Sequence, residues 1–148
     1  MGIARRYGKS EADCQEIFQE SFIKIFDNLH KWDSVKGEFK GWLYRVAVNE
    51  GLQYLRREKR FDTDDLDYVV EKYSDSPTDG DIQYEEALEM VNQLPTKQKI
   101  VFNLYVVEGY SHKEIGEQLN INEASSRSQL TRARESLKQI HLTHFAKF

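Results

Sequence analysis

Apolar residues recur at helical three- to five-residue steps along most of this chain, and the pattern stops between Phe61 and Ile82. Within that gap Asp62, Asp64, Asp65, Asp67, Asp75, Asp79 and Asp81 crowd together, and Ser76-Pro77-Thr78-Asp79-Gly80 is rich in turn formers. Such a break leaves two periodic blocks that must each bury their own apolar faces. A chain of 148 residues suits one ordinary domain or two small ones, and the break favours two. Two prolines and eight glycines are too few for the tight turns of a sandwich or barrel. The expected fold is all-α: helical domains over 1–60 and 83–148, joined by an acidic linker over 61–82.

In the first block, residues 10–30 are predicted to be helical. Ser10 is placed to cap the helix, with Glu11 and Asp13 in its first turn. Ile17, Phe22, Ile25, Phe26 and Leu29 form its expected buried stripe. Trp32 to Glu38 breaks the period as a loop. A second helix is expected from Phe39 to about Arg60, with Trp42, Leu43, Val46, Ala47 and Leu55 on one side. Arg56, Arg57, Lys59 and Arg60 load its last turn, where positive charge also complements the helix dipole.

The second block is predicted to hold helices over 83–93, from Pro95 to about Val107, and from Ser111 onward. Ala87, Leu88 and Val91 mark the first of these, and Ile100, Val101, Leu104 and Tyr105 the second. Pro95 suits a helix start, and Gly109 suits a left-handed cap. Ser111-His112-Lys113-Glu114 is a capping box opening a short helix with core contacts Ile115 and Leu119. Asn120-Ile121-Asn122 turns the chain, with Ile121 expected inside, and Asn122 caps a helix from Glu123 to about Ile140. This is a helix-turn-helix pattern. Gly116 inside its first helix costs about 1 kcal/mol relative to Ala unless a close approach of the second helix requires it. Ala124, Leu130, Ala133 and Leu137 are expected to face the core. Ser125, Ser126, Arg127, Ser128, Gln129, Thr131, Arg132 and Arg134 give the second helix a polar face. Short hydroxyls allow close approach to DNA, and Arg and Gln can reach phosphates or base edges. A helical hairpin whose polar face meets only water is the alternative. His112 is expected to face solvent without a metal role.

Charge supports the DNA reading once it is resolved along the chain. The net charge is -4. Residues 36–60 hold seven Lys/Arg against three Asp/Glu, residues 61–94 one against eleven, and residues 95–148 eight against five. Two basic blocks flank an acidic one, although ordinary solvated helix faces give a similar count. Other chemistries find little support. The single Cys14 excludes an internal disulfide, and His30, His112, His141 and His144 do not complete a metal set. No Ser/His/Asp or Cys/His arrangement or glycine-rich phosphate loop occurs, so no enzyme and no cofactor is expected. No run of ~20 apolar residues and no signal-peptide pattern occurs, so a soluble, cytoplasmic protein is expected.

Several stretches then resemble one family, the extracytoplasmic-function sigma factors of bacterial transcription initiation. Phe39-Lys40-Gly41-Trp42-Leu43-Tyr44-Arg45-Val46-Ala47-Val48-Asn49, followed by Leu55-Arg56-Arg57-Glu58-Lys59-Arg60, is similar to the family's promoter-melting helix. Glu16-Ile17-Phe18-Gln19-Glu20-Ser21-Phe22 is similar to its polymerase-binding segment. Leu94-Pro95, Tyr110 to Ile115 and Leu130-Thr131-Arg132-Ala133-Arg134 resemble its second DNA-binding region.

The resemblance implies a division of labour. Glu16, Gln19, Glu20 and Phe22 would contact the clamp helices of core RNA polymerase. Lys36, Lys40, Arg45, Arg56 and Arg57 would grip phosphates while Asn49 reads the -10 element. The loop between Asp33 and Glu38 could hold an extruded base, with Trp32 and Trp42 available for stacking but better suited to the core. Arg127, Ser128, Thr131 and Arg132 would contact the -35 element, and the second domain would also meet the polymerase flap. An anti-sigma factor is a further implied partner, and promoter DNA the shared ligand. The linker spans at most about 73 Å at ~3.3 Å per residue, enough for promoter elements one to two turns apart at ~34 Å per turn.

The chain also departs from the family. Only the tail of an N-terminal helix precedes Tyr7, which implies a truncation or late start and a partly exposed core. Tyr105 stands where some members carry arginine, and Ser126 where valine is common. Two other classes remain: an autonomous repressor or activator, which has no need of the first sixty residues, and a helical adaptor, which leaves the basic blocks unexplained.

Overall fold

The computed structural model describes residues 2–58 and 79–146, and these form two compact units, one on each side of the intervening segment. All regular structure among the described residues is helical. Residues 61–78 of the expected linker, and Lys59 and Arg60, lie outside them.

The N-terminal unit holds α1 (Gly2–Tyr7), α2 (Glu11–Asn28) and α3 (Phe39–Arg57). Ser10 starts α2 through a reciprocal box. Its hydroxyl accepts from the Asp13 N–H at 3.2 Å, while the Asp13 carboxylate accepts from the N–H of Ser10 at 3.3 Å and of Lys9 at 2.9 Å. The loop from Trp32 to Glu38 turns on Asp33, whose carboxylate accepts from the Val35 N–H at 2.9 Å.

The core differs from the expected stripe. Buried on α2 are Asp13, Cys14, Ile17 and Ser21, which face α1 and the Val48-Leu52-Leu55 side of α3. Phe22, Phe26 and Leu29 are exposed and Ile25 is half-buried. The apolar arc of α2 is wider than its neighbours cover, so the phenylalanines pack along the helix surface instead. Ring centroids are 4.8 Å apart for Phe18–Phe22 and 6.2 Å for Phe22–Phe26. On α3, Leu55 is buried as expected, whereas Trp42, Leu43, Val46 and Ala47 are half-buried.

Tyr7 is the largest fully buried side chain. It lies against α3 at Gly51, where an added Cβ would come within 2.7 Å of the Tyr7 ring.

The C-terminal unit holds α4 (Asp79–Asn92), α5 (Thr96–Phe102), α6 (His112–Leu119) and α7 (Glu123–Phe145). α4 begins inside the stretch read as linker. Pro95 caps α5, which passes into one π-helical turn over Asn103–Val107 that the apolar spacing did not reveal. The Glu108 N–H reaches the Asn103 carbonyl and the Tyr110 N–H the Leu104 carbonyl, both at 2.9 Å. Gly109 then takes the left-handed conformation, at φ 76°.

α7 packs on α4, α5 and α6. Leu94, Ile100, Val101, Leu104, Ile115, Leu130 and Ala133 are almost completely removed from solvent, which makes a closed core under the helix-turn-helix. Ala124, expected in that core, is exposed, and Leu137 and Ile121 are half-buried. The place of Ala124 is taken by Ser126, at 0 % exposure. Gly116 does meet a close neighbour, but it is the turn and not the second helix. A Cβ there would lie 2.6 Å from the Ile121 carbonyl oxygen.

Replacing Gly51 by Val should destabilise the protein by ~1–3 kcal/mol, because the branched side chain overlaps Tyr7 in a filled core. The urea midpoint read by tryptophan fluorescence checks this, and an unchanged midpoint would show that Tyr7 has room to move.

Candidate nucleic-acid interface

Three local devices aim α7. Ser111 opens α6 with a complete capping box: its hydroxyl accepts from the Glu114 N–H at 3.2 Å, and the Glu114 carboxylate accepts from the Ser111 N–H at 2.8 Å. Asn120 closes α6 in the left-handed conformation at φ 54°, and the N–H groups of Asn120 and Ile121 both donate to the Gly116 carbonyl. Asn122 starts α7, its side chain accepting from the Ser125 N–H at 2.7 Å. These set the direction of α7 relative to α6.

Along α7, Ser126, Leu130 and Ala133 are buried, and at about 100° per residue they occupy one narrow arc with Leu137. Arg127, Ser128, Thr131 and Arg132 are all exposed on the opposite side, as the sequence suggested. Arg134 and Ala124 share that exposed side. The small Ala124 was missed because its apolar character assigned it to the core. Arg127 is held by Glu123 at 2.7 Å, and the Thr131 hydroxyl donates to the Arg127 carbonyl at 3.1 Å. Of the basic residues in this block Lys99 is fully buried, so the sequence count overstates the positive charge displayed.

The N-terminal unit presents two faces. Lys36, Lys40, Arg45, Asn49, Arg56 and Arg57 are all exposed, but they do not form one array. Arg45, Asn49 and Arg56 share one face of α3 with exposed Gln53, which lies four residues beyond Asn49. That spacing is the signal that could have identified Gln53. Lys40 lies about 140° around the helix from Arg45, and Lys36 belongs to the preceding loop. Arg57 turns toward α2, where its guanidinium donates to Glu16 at 2.6 Å and lies 5.5 Å from the centre of the Tyr54 ring. A residue expected to contact polymerase and one expected to contact DNA are thus joined to each other. Both partners are about half exposed, so the pair is worth at most ~1 kcal/mol.

Glu16, Gln19 and Glu20 are exposed on one side of α2, and Phe22, 47 % exposed, borders them. Near the loop, Trp32, Phe39 and Trp42 form an aromatic ladder with centroid spacings of 5.1 and 5.9 Å. Trp32 and Trp42 are half-buried, between the core role and the base-stacking role considered for them.

His112 does not simply face solvent. Its ring stacks on Tyr105, with centroids 4.4 Å apart and planes 18° from parallel, and its Nδ1 lies 2.8 Å from the Ser126 hydroxyl. Burial, then the nearby Arg127 and Arg134 charges, lower its pKa below 6.5, while Glu123 opposes the shift. No group of three or more potential metal ligands occurs among the described residues, and no described helix is long and apolar enough to cross a membrane.

Comparisons with known proteins place this arrangement. Residues 1–61 match the family "Sigma-70 region 2" and residues 84–137 match "Sigma-70, region 4". The chain is 31% identical to an ECF RNA polymerase sigma-E factor of Haemophilus influenzae, covering 93% of this chain and 78% of that protein. It is 29% identical to ECF RNA polymerase sigma factor SigM of Bacillus subtilis, covering 86% and 79%. It is 28% identical to ECF RNA polymerase sigma factor SigE of Mycolicibacterium smegmatis, covering 96% of this chain and spanning 57% of that protein. Among solved structures, the fold is similar to RpoE in its complex with the anti-sigma factor NepR from Bartonella quintana. There the TM-score is 0.65 at 16% identity, over 93% of this chain and 86% of that one. It is also similar to CnrH in complex with the cytosolic domain of CnrY, with TM-score 0.56 at 19% identity, over 95% and 79%.

Since the folded state disfavours protonated His112, that group adds no penalty above pH 6.5 and costs stability as the pH falls through its lowered pKa. A proton NMR titration should give the His112 ring a midpoint below 6.5. A midpoint at or above that value would contradict its partial burial beside Arg127.

Proposed function

Because this chain belongs to the extracytoplasmic-function branch of the sigma-70 family, a family of transcription initiation factors, we propose that it is a specificity subunit of RNA polymerase. It binds core polymerase, recognises a -35 element and opens a -10 element. It is a binding subunit with no chemistry of its own, and it works in the cytoplasm.

The observation that carries this reading is the exposed face of α7. Arg127, Ser128, Thr131 and Arg132 stand opposite the buried Ser126-Leu130-Ala133 line, on the second helix of a helix-turn-helix. A helix in the major groove reads bases with such residues: arginine for guanine edges, and short hydroxyls that permit close approach. Residues 83–148 therefore act at the -35 element and the flap. Residues 1–60 act at the -10 element and the clamp helices, and the tether is the part of 61–82 that precedes α4.

On α3, Arg45, Asn49 and Arg56 form the DNA face, with Lys36 and Lys40 supplying phosphate contacts from the loop side. Asn49 offers both a donor and an acceptor to an unstacked base. Arg57 serves DNA only by leaving Glu16, a cheap exchange for a surface pair. Glu16, Gln19, Glu20 and Phe22 meet the polymerase clamp. An anti-sigma factor is a fitting further partner, since the solved RpoE structure of similar fold holds one.

Arg127→Ala should reduce -35-dependent transcription by about tenfold, consistent with ~1–3 kcal/mol for a base contact, with core binding unchanged. Unaltered promoter preference would remove Arg127 from the reading face. Gln19→Ala combined with Glu20→Ala should weaken association with core polymerase. Wild-type co-sedimentation with core would refute the clamp assignment.

A further inference from the structure

Ser126 combines three properties that a polar residue under a recognition helix rarely has. It is fully buried, it lies next to Arg127 on the reading face, and its hydroxyl makes one hydrogen bond among the described residues, to Nδ1 of His112 at 2.8 Å. An apolar residue would fill this position without needing a partner. A buried hydroxyl left alone costs about 1–3 kcal/mol, and here His112 is the group that answers it.

His112 is itself held from the other side. It is the first residue of α6, and its ring stacks on Tyr105 from the π-helical turn. Tyr105 is thereby occupied as a backing plate for the imidazole. The chain Tyr105–His112–Ser126 runs from the π-turn through the start of α6 to the second turn of α7. At neutral pH the imidazole is uncharged. In the neutral ring Nδ1 either accepts the serine O–H, with the ring proton on Nε2, or donates its own N–H to the serine oxygen; the two tautomers make the same 2.8 Å contact.

We propose that His112 and Ser126 are positioning residues for DNA recognition: their hydrogen bond, backed by Tyr105, fixes how the first turns of α7 sit and so where Arg127 and Ser128 meet the bases. This inference rests on the upstream-element reading above. The pair acts through the adjacent reading residues and touches no base itself.

The pair is separable from general stability, because a smaller folded fraction weakens binding to every sequence equally and leaves the ratio between sequences unchanged. The full chain, assembled with core polymerase, would be offered promoters randomised across the -35 region with a constant -10 element. Selectivity is then read as the spread between best and average sequences. His112→Phe, which retains a ring to stack on Tyr105, and Ser126→Val should each reduce that spread about tenfold, since each breaks the hydrogen bond that seats the start of α7. The double variant should recover most of it, because an apolar pair leaves nothing unsatisfied.

Singles that keep wild-type selectivity would overturn the positioning role and leave the upstream reading intact. A double variant no better than the singles would also overturn it, pointing to direct contact of His112 with DNA. A wild-type protein with no preference across the randomised region would remove the upstream reading, and this inference with it.

Discussion

The seating of α7 against α5 and α6 is the contact on which the rest of the C-terminal unit depends. Ile100, Leu104, Ile115, Leu130 and Ala133 are essentially solvent-free, and burying a side chain such as Ile or Leu contributes about 1.5–3 kcal/mol. That burial uses one side of α7 and leaves the other for a ligand. Capping converts the packing into direction: Ser111, the left-handed Asn120 and Asn122 fix where α6 begins, where it ends and where α7 starts. Arg127, Ser128, Thr131 and Arg132 then stand on a backbone that is already fixed, so little backbone entropy is left for a ligand to order.

The N-terminal unit works on a different economy. Its buried kernel is small, built from Tyr7, Cys14, Ile17, Val48, Leu52 and Leu55, and much aromatic surface stays outside it. Phe18, Phe22 and Phe26 line the outside of α2, while Trp32, Phe39 and Trp42 gather by the loop before α3. Exposed aromatic surface of this kind suits a partner that supplies the missing cover. The Arg57–Glu16 pair links α3 to α2, and at about half exposure it is a weak link.

Much of this was legible in the sequence because it rests on local rules. The caps at Ser10, Ser111 and Asn122, the left-handed Gly109 and the exposure of Arg127, Ser128, Thr131 and Arg132 on α7 follow from residue type and helical spacing alone. What the sequence concealed depends on which neighbour covers which arc. Phe22, Phe26 and Leu29 have core-like spacing, but the helices packed on α2 take the Cys14-Ile17-Ser21 line instead. Ala124 and Ser126 exchanged their expected places because polarity is a poor guide where a buried hydroxyl has a partner. That partner, His112, is fourteen residues away, beyond the reach of any periodicity. The π-turn at Asn103–Val107 likewise carries no composition signal, although it is what presents Tyr105 to the histidine.

The central claim is that two helical units of one chain act together, one on polymerase and the -10 element, the other on the -35 element. Reconstituted run-off transcription from a random-sequence DNA pool tests it most directly, comparing core polymerase alone with core plus this protein. The account expects new, discrete start sites whose upstream sequences share two boxes at fixed separation. Start sites indistinguishable from those of core alone, with the protein demonstrably folded, would contradict it.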